Sequence, residues 1–156
     1  MKKLTLFTVM TAIAIFSYGQ SQFYKKYSAY EGMTKVYVSP SMFSLFDEGN
    51  EINISGNVNI SKVTKKLSGL YILSTENPKY ITEMRSDFEK LIKAGTFEML
   101  MEMEEGDEKC VIYVSKNKDI ITDMYICAND GSEFNIIYLT GEITQEDMKG
   151  LVAEMK

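Results

Sequence analysis

Histidine is absent from this 156-residue chain. Its absence removes the usual general base near neutral pH, the serine–histidine and cysteine–histidine nucleophile pairs, and the most common zinc and copper ligand. The chain also lacks a Gly-x-Ser-x-Gly elbow, a phosphate-binding glycine loop and a Cys-x-x-Cys pair. Catalysis would therefore depend on carboxylates, tyrosines or lysines alone. We predict a protein that is not an enzyme, with no catalytic residue, no cofactor and no metal site.

Basic side chains are fewer than acidic ones. The chain has 17 Lys and Arg against 22 Asp and Glu, which gives a formal net charge of -5 at pH 7. A net negative domain repels phosphate backbones, and the sequence has no lysine or arginine cluster with interleaved aromatic residues. We therefore predict that nucleic acid is not a partner.

Long hydrophobic runs are missing everywhere except at the start of the chain. Lys2 and Lys3 precede an uncharged run over residues 4–16, which the small residues Ser17 and Gly19 follow. This order is typical of a signal peptide, and the run is shorter than the roughly 20 apolar residues that span a bilayer. We predict a signal peptide over residues 1–19, with an uncleaved membrane anchor as the alternative.

Cleavage between Gly19 and Gln20 predicts one exported domain over residues 20–156. It removes two lysines and no acid, so the formal charge becomes -7, and the remaining 137 residues are a normal size for a single domain. A lipid anchor is not expected, because neither Cys110 nor Cys127 is near the cleavage point. No later segment is hydrophobic enough to cross a membrane. The predicted location is the periplasm, with secretion or outer-membrane association as alternatives.

Four segments have the apolar spacing or the capping residues of a helix. The clearest begins at Asn77–Pro78, repeats apolar residues at helical spacing and ends at Gly95. The other three are marked by Phe23, Tyr27 and Tyr30; by Ser39–Pro40 with Met42, Phe43 and Phe46; and by Thr144 with Met148, Leu151, Val152 and Met155.

After Gly95 the apolar period changes to two, which predicts that the chain passes from helix to sheet. The predicted strands are Thr34–Val38, Gly69–Thr75, 97–104, Lys109–Ser115, Ile120–Ala128 and Glu133–Thr140. Short polar loops join the last four strands, and Asp130–Gly131 is the strongest turn signal among them. These four strands are predicted to form an antiparallel meander.

The predicted fold class is α+β, as a two-layer sandwich in which helices cover one face of a mixed sheet, because amphipathic helices must cover a sheet. The early strands are expected to pair in parallel through a right-handed helical connection. The segment Asp47–Lys66 is predicted as a surface loop that ends in a short helical turn, with a small hairpin around Gly56 as the alternative.

The two cysteines lie on neighbouring predicted strands. A loop of odd length puts Cys110 and Cys127 on opposite faces of the sheet, whereas an even loop puts them on one face, where a disulfide can form. The aliphatic residues of the two strands align better with the odd loop. We therefore predict two separate buried thiols.

Two further groups have both a chemical and a structural interpretation. Met99, Met101 and Met103 resemble thioether ligands for Cu(I), but a period of two explains them as an inward strand face that fills the core. The acidic stretch 102–108 lacks the residue order of a calcium loop. We predict it as a solvated hairpin end.

The only positive indication of function is a group of aromatic residues on the predicted meander. Tyr113, Tyr125, Phe134 and Tyr138 share one face, opposite the aliphatic face that we assign to the helices. Tyrosine and phenylalanine give contact area at low entropic cost, so these four form the candidate interaction face. The alternative is that they cover a half-exposed sheet without any partner.

The organisation of the chain resembles a family of exported bacterial proteins. The residues that carry the resemblance are Val36–Ser39 with Met42–Phe43, Leu67–Leu70 with Leu73–Asn77, and Leu139–Thr144. Together with the lysine-led signal peptide they resemble domain of unknown function 4252, over nearly all of the mature chain. The resemblance implies a small envelope protein of Gram-negative bacteria without assigned activity, and a link to envelope sensing. It supplies no catalytic residue.

These observations predict a non-enzymatic binding or protein-interaction module of the bacterial envelope, whose partner is another envelope protein or a second copy of the chain. The alternative is a carboxylate- or tyrosine-based enzyme or a small-ligand carrier. Its site would lie near the 47–66 loop, with Asp47, Glu48 or Glu51 in it, since loops of that length are often functional.

Overall fold

The computed structural model describes residues 22–45, 53–54, 58–61 and 63–153. The predicted signal peptide, residues 1–19, lies outside them. In the part of the chain that is described, no helix has both the length and the apolar composition needed to cross a membrane.

The elements follow one another in an α+β order. Helix α1 covers residues 22–28. It is followed by β1 (Thr34–Val38), α2 (Pro40–Phe43), the short strands β2 (Asn53–Ile54) and β3 (Val58–Asn59), a 3₁₀ turn (Thr64–Lys66), β4 (Leu67–Thr75), α3 (Pro78–Ala94), β5 (Glu98–Glu105), β6 (Glu108–Asn117), β7 (Ile120–Asn129), β8 (Phe134–Thr144) and α4 (Gln145–Ala153).

Six of the strands form one open sheet in the order β1-β4-β8-β7-β6-β5. Every pair in it is antiparallel. The expectation of a mixed sheet is therefore wrong: β1 runs antiparallel to β4, from Thr34 opposite Ser74 to Val38 opposite Leu70. The described parts of the connection from β1 to β4 are α2, two short strands and a 3₁₀ turn, and no long crossover helix lies among them.

Both faces of this sheet are covered, so the expectation of helices on one face only is also wrong. On the face that we call the aliphatic face, Phe43 of α2 and Met148 of α4 pack with branched aliphatic residues such as Ile137. On the opposite face, the aromatic face, α1 and α3 pack over Tyr125, Phe134 and their neighbours. The short helices α1 and α2 gave too weak an apolar pattern to assign them to faces.

Helix α3 forms where local signals agree. The Asn77 side chain accepts a hydrogen bond from the Lys79 backbone N–H at 3.0 Å, and Pro78 occupies the first turn. Met84 and Phe88, one turn apart, are its buried residues. Full burial of such a side chain contributes about 1.5–3 kcal/mol, which fixes α3 on the aromatic face.

The segment predicted as a loop from Asp47 to Lys66 contains the alternative structure. Asn53–Ile54 pairs antiparallel with Val58–Asn59, and the helical turn at Thr64–Lys66 follows as expected. Val63, just before that turn, is buried in the cluster on the aliphatic face. The segment is therefore attached to the core at its second half.

Candidate interaction surface

Five tyrosines from five adjacent strands lie side by side across the aromatic face. The register places Tyr37 opposite Tyr71, Tyr71 opposite Tyr138, Tyr138 opposite Tyr125, and Tyr125 opposite Tyr113. The first three pairs are stacked, with ring centroids 4.8, 5.6 and 4.5 Å apart. Directly opposite residues on one face of an antiparallel sheet contact each other, so this row, the tyrosine rung, stabilises the order of the strands.

The four residues of the predicted interaction face are brought together, but under helices. Tyr113, Tyr125, Phe134 and Tyr138 belong to one cluster, and the Phe88 ring of α3 lies 5.3 Å from the Tyr125 ring. Tyr125 and Phe134 are each 2% exposed, while Tyr113 and Tyr138 are half-buried. Tyr125 and Phe134 are thus core residues, which corrects the expectation of an open contact face.

Burial also decides the proton chemistry of the rung. Desolvation raises the pKa of Tyr125, and it raises the pKa of Tyr138 together with the nearby Asp123 carboxylate. The Tyr138 hydroxyl donates to Asp123 Oδ1 at 2.6 Å. Both phenols therefore stay protonated near neutral pH, and neither is suited to act as a base or a nucleophile.

Helix α1 is held over the rung by a polar group that we call the α1–α3 clamp: Lys26, Tyr27, Tyr30, Glu83 and Asp87. Lys26 Nζ lies 2.7 Å from both Asp87 Oδ2 and Glu83 Oε1. The hydroxyls of Tyr27 and Tyr30 donate to Asp87 and Glu83 at 2.9 and 2.7 Å. The Lys26 ammonium is the largest cause that lowers the pKa of Asp87, to about 2. The carboxylates are therefore ionised and keep α1 closed on the sheet.

Strand β5 is the edge of the sheet on which apolar side chains are most open. It pairs with β6 on one side, and no described strand pairs with its other side. Met99, Leu100 and Met103 are 54%, 41% and 52% exposed. An edge strand presents unpaired backbone N–H and C=O groups, so exposed side chains next to them form a contact surface that a further strand can use. We call this surface the β5 edge (Glu98–Glu105).

The inward methionine face expected on β5 is wrong for two of its three members. The register shifts at Leu100, so Met99 lies opposite Tyr113 whereas Met103 lies opposite Cys110. Tyr113 and Cys110 pack on the aromatic and the aliphatic face respectively. Met99 and Met103 therefore point to opposite sides of the sheet and do not converge on one ion. Only Met101 packs against the core.

The acidic end of the β5–β6 hairpin is exposed, as the sequence predicts for residues 102–108. Lys109 Nζ lies 3.0 Å from Glu102 Oε2 and 3.5 Å from Glu104 Oε2. Within the described ranges, no three Asp, Glu, Cys or His side chains are placed to hold a metal ion.

The two thiols are free and lie on opposite faces, as predicted, but both are half-buried, whereas the prediction had them buried. Cys110 pairs with Ala128, and Cys127 pairs with Val111. Burial raises the pKa of both thiols, that of Cys127 to about 12. A thiol of that pKa is a poor nucleophile near neutral pH, because the thiolate is the reactive form.

A polar groove of about 320 Å³ opens at the end of β4, where α3 begins. Glu31, Glu76 and Glu133 line it together with buried Ser74, and Ser74 Oγ donates to Glu133. None of the described residues between 53 and 66 lines this groove. Asp47, Glu48 and Glu51, the residues of that prediction, lie outside the described residues.

Comparison with known proteins identifies a family but no function. The family model described as domain of unknown function (DUF4252) matches residues 27–151, most of the chain, which confirms the resemblance seen in the sequence. No curated protein and no solved structure matches the chain. The β5 edge was missed in the sequence because its alternating methionines have the pattern of a buried face, and the shift at Leu100 is not encoded in that pattern.

Proposed function

Because the chain belongs to the domain of unknown function 4252 family, whose description assigns no activity, we propose its function from its surface. It is a non-enzymatic protein-interaction module of the bacterial envelope, and it binds another protein along the β5 edge. The observation that carries the proposal is the half-exposed state of Met99 and Met103 on an edge strand.

An edge strand and flexible apolar side chains support binding in complementary ways. The unpaired backbone groups of β5 can accept an added strand, which gives affinity that depends little on the partner's sequence. Methionine has three rotatable bonds and a polarizable sulfur, so it adapts to different apolar surfaces. The β5 edge therefore suits a partner that presents an extended segment.

The remaining chemistry supports a binding role over catalysis. The chain has no histidine. The phenols of Tyr125 and Tyr138 and the thiol of Cys127 have raised pKa values. The side chains of the tyrosine rung therefore act in packing. We assign the interaction to the β5 edge.

The envelope location rests on the signal peptide predicted over residues 1–19. N-terminal sequencing of the protein from fractionated cells tests it. The expected result is a periplasmic chain that begins at Gln20. A cytosolic chain that begins at Met1 would contradict the location and leave the interaction proposal to its own test.

The interaction is tested by site-specific photocrosslinking in the native bacterium. A photoreactive residue replaces Met103, and the matched control replaces Glu89, which is 61% exposed on α3. We expect a discrete crosslinked partner from Met103 that Glu89 does not give, and its loss when Met99 is changed to Lys. Equal products from both positions, or none from Met103, would refute binding at the β5 edge.

A further inference from the structure

We propose that the segment that binds the β5 edge is a basic one: an extended stretch in which Lys or Arg alternates with apolar residues, added as a further antiparallel strand. This inference rests on the proposed function and names the class of partner. It is supported by the excess of negative charge around Glu98–Glu105 and by the different side chains on the two faces of this strand.

The edge and the hairpin beside it are strongly acidic. Residues 98–109 contain six carboxylates and one lysine. Lys109 contacts Glu102 and Glu104, and Lys116 contacts Glu98. Glu105, Asp107 and Glu108 form no ion pair with the described part of the chain, and all three are exposed. Excess negative charge therefore remains beside the unpaired strand, and it attracts a cationic segment.

The same charges oppose a second copy of this chain as the occupant. A symmetric antiparallel pairing over the whole strand places Glu98 of one copy opposite Glu105 of the other. Like charges directly opposite in a sheet are destabilising, and charged residues and bulges on an edge are known devices against self-association. The register shift at Leu100 adds such a device. The charges on the β5 edge thus disfavour pairing with a second copy of the chain and favour a partner of opposite charge.

The two faces of the strand specify an alternating partner. Met101 and Met103 lie opposite Ile112 and Cys110, which pack on the aliphatic face. Glu102 and Glu104 alternate with these methionines in sequence and therefore point to the other side of the strand. An added strand continues this alternation, so it places apolar residues beside the methionines and basic residues beside the glutamates.

Binding of synthetic peptides to the full chain, measured by fluorescence anisotropy, tests this inference. The probe is a seven-residue peptide that alternates Val and Lys; the controls are the same peptide with Glu for Lys, a block-ordered peptide of the same composition, and an N-methylated version that cannot pair as a strand. We expect the Val/Lys peptide alone to bind, and its affinity to fall with added salt because the charges are exposed. The double variant Glu102→Gln, Glu104→Gln should weaken binding at least fivefold. The matched double variant Glu31→Gln, Glu76→Gln, at the polar groove beside β4 and far from β5 in the strand order, should not.

Each other outcome overturns the inference. Crosslinking from Met103 then shows whether the basic partner alone is wrong or whether the proposed binding at the β5 edge fails as well. Equal binding of the Glu peptide excludes a basic partner, and equal binding of the block-ordered or N-methylated peptide shows charge attraction without strand addition. A concentration-dependent dimer in sedimentation, abolished by Met103→Lys, makes a second copy the occupant. If no peptide binds while the Met103 crosslink persists, the basic partner is wrong and the β5 edge stands; if the crosslink is also absent, both fail.

Discussion

Replacement of Asp87 by asparagine tests the α1–α3 clamp. The carboxylate accepts hydrogen bonds from Lys26, Tyr27 and Lys90. They lower its pKa from the ordinary 3.8 to about 2, with Lys26 as the largest cause. At about 1.36 kcal/mol for each pKa unit, this corresponds to stability on the order of 2 kcal/mol. The Asp87 side chain is 28% exposed and its two lysine partners more so, so solvent screening reduces the expected loss to roughly 1–2 kcal/mol.

The pH dependence gives the sign of the Asp87 effect. The pKa of Asp87 is lower in the folded than in the unfolded chain, so its contribution is fully present above about pH 4 and is lost as the pH falls through about 2. Urea unfolding followed by circular dichroism at pH 7, 4 and 2.5 measures the free energy of unfolding of the chain and of Asp87→Asn. The difference should shrink at the lowest pH.

The matched control is Glu89→Gln on the same helix. Glu89 lies 3.9 Å from Lys93 in an exposed i,i+4 pair, which contributes at most about 0.5 kcal/mol. Equal stability of Asp87→Asn and Glu89→Gln at pH 7 would show that the clamp does not hold α1. An Asp87→Asn deficit that stays the same at pH 2.5 would refute the electrostatic explanation.

Three further expectations concern the sheet. Tyr125→Ala should lower the free energy of unfolding by about 3–5 kcal/mol in urea, and Tyr37→Ala, at the exposed end of the rung, by less than about 1; similar losses would contradict the packing of the rung. Gly141→Ala should cost more than about 2 kcal/mol, because a Cβ there meets the Lys66 carbonyl oxygen and the backbone around it. Gly69→Ala should cost about 1 kcal/mol or less, because a Cβ there meets side-chain atoms of Tyr71 and Thr140 and no backbone. Both thiols should react slowly with Ellman's reagent at pH 7 in the folded chain. After unfolding without reductant, both should react fully. Fewer than two reactive thiols in the unfolded chain would show a disulfide.

Sequence patterns predicted the elements whose signals are local. Helix α3 runs from Pro78 to Ala94, within the predicted Asn77–Gly95, because its cap, proline and apolar stripe all lie inside the segment. Strand β1 has the predicted bounds Thr34–Val38. Strand pairing is different, because the partner of β1 lies more than thirty residues away and no local pattern states its direction.

The prediction that the two cysteines lie on opposite faces is correct, but its reason, a loop of odd length, is wrong. The β6–β7 turn consists of two residues, with Asn117 opposite Ile120, and this register continued unbroken would place Cys110 opposite Cys127. Thr122 has no partner in the register on β6, and this extra residue moves the two cysteines to opposite faces. A bulge of one residue has no signature in composition or period. Loop length alone therefore does not tell which face of a hairpin a residue lies on.

The aromatic face shows why residue type alone did not locate the functional surface. Alternating tyrosines fit an exposed sheet and an aromatic core equally well, since each ring has an apolar body and a polar tip. The deciding signal was on the helices: the Phe23 and Tyr27 of α1 and the Phe88 of α3 are large aromatic side chains that need a face of matching volume. The sheet face with the tyrosines is the one that supplies it. Among the described residues, helices pack on both faces of the sheet and exposed apolar side chains lie on its edge strand β5, so the proposed contact moves from Tyr125 to the β5 edge.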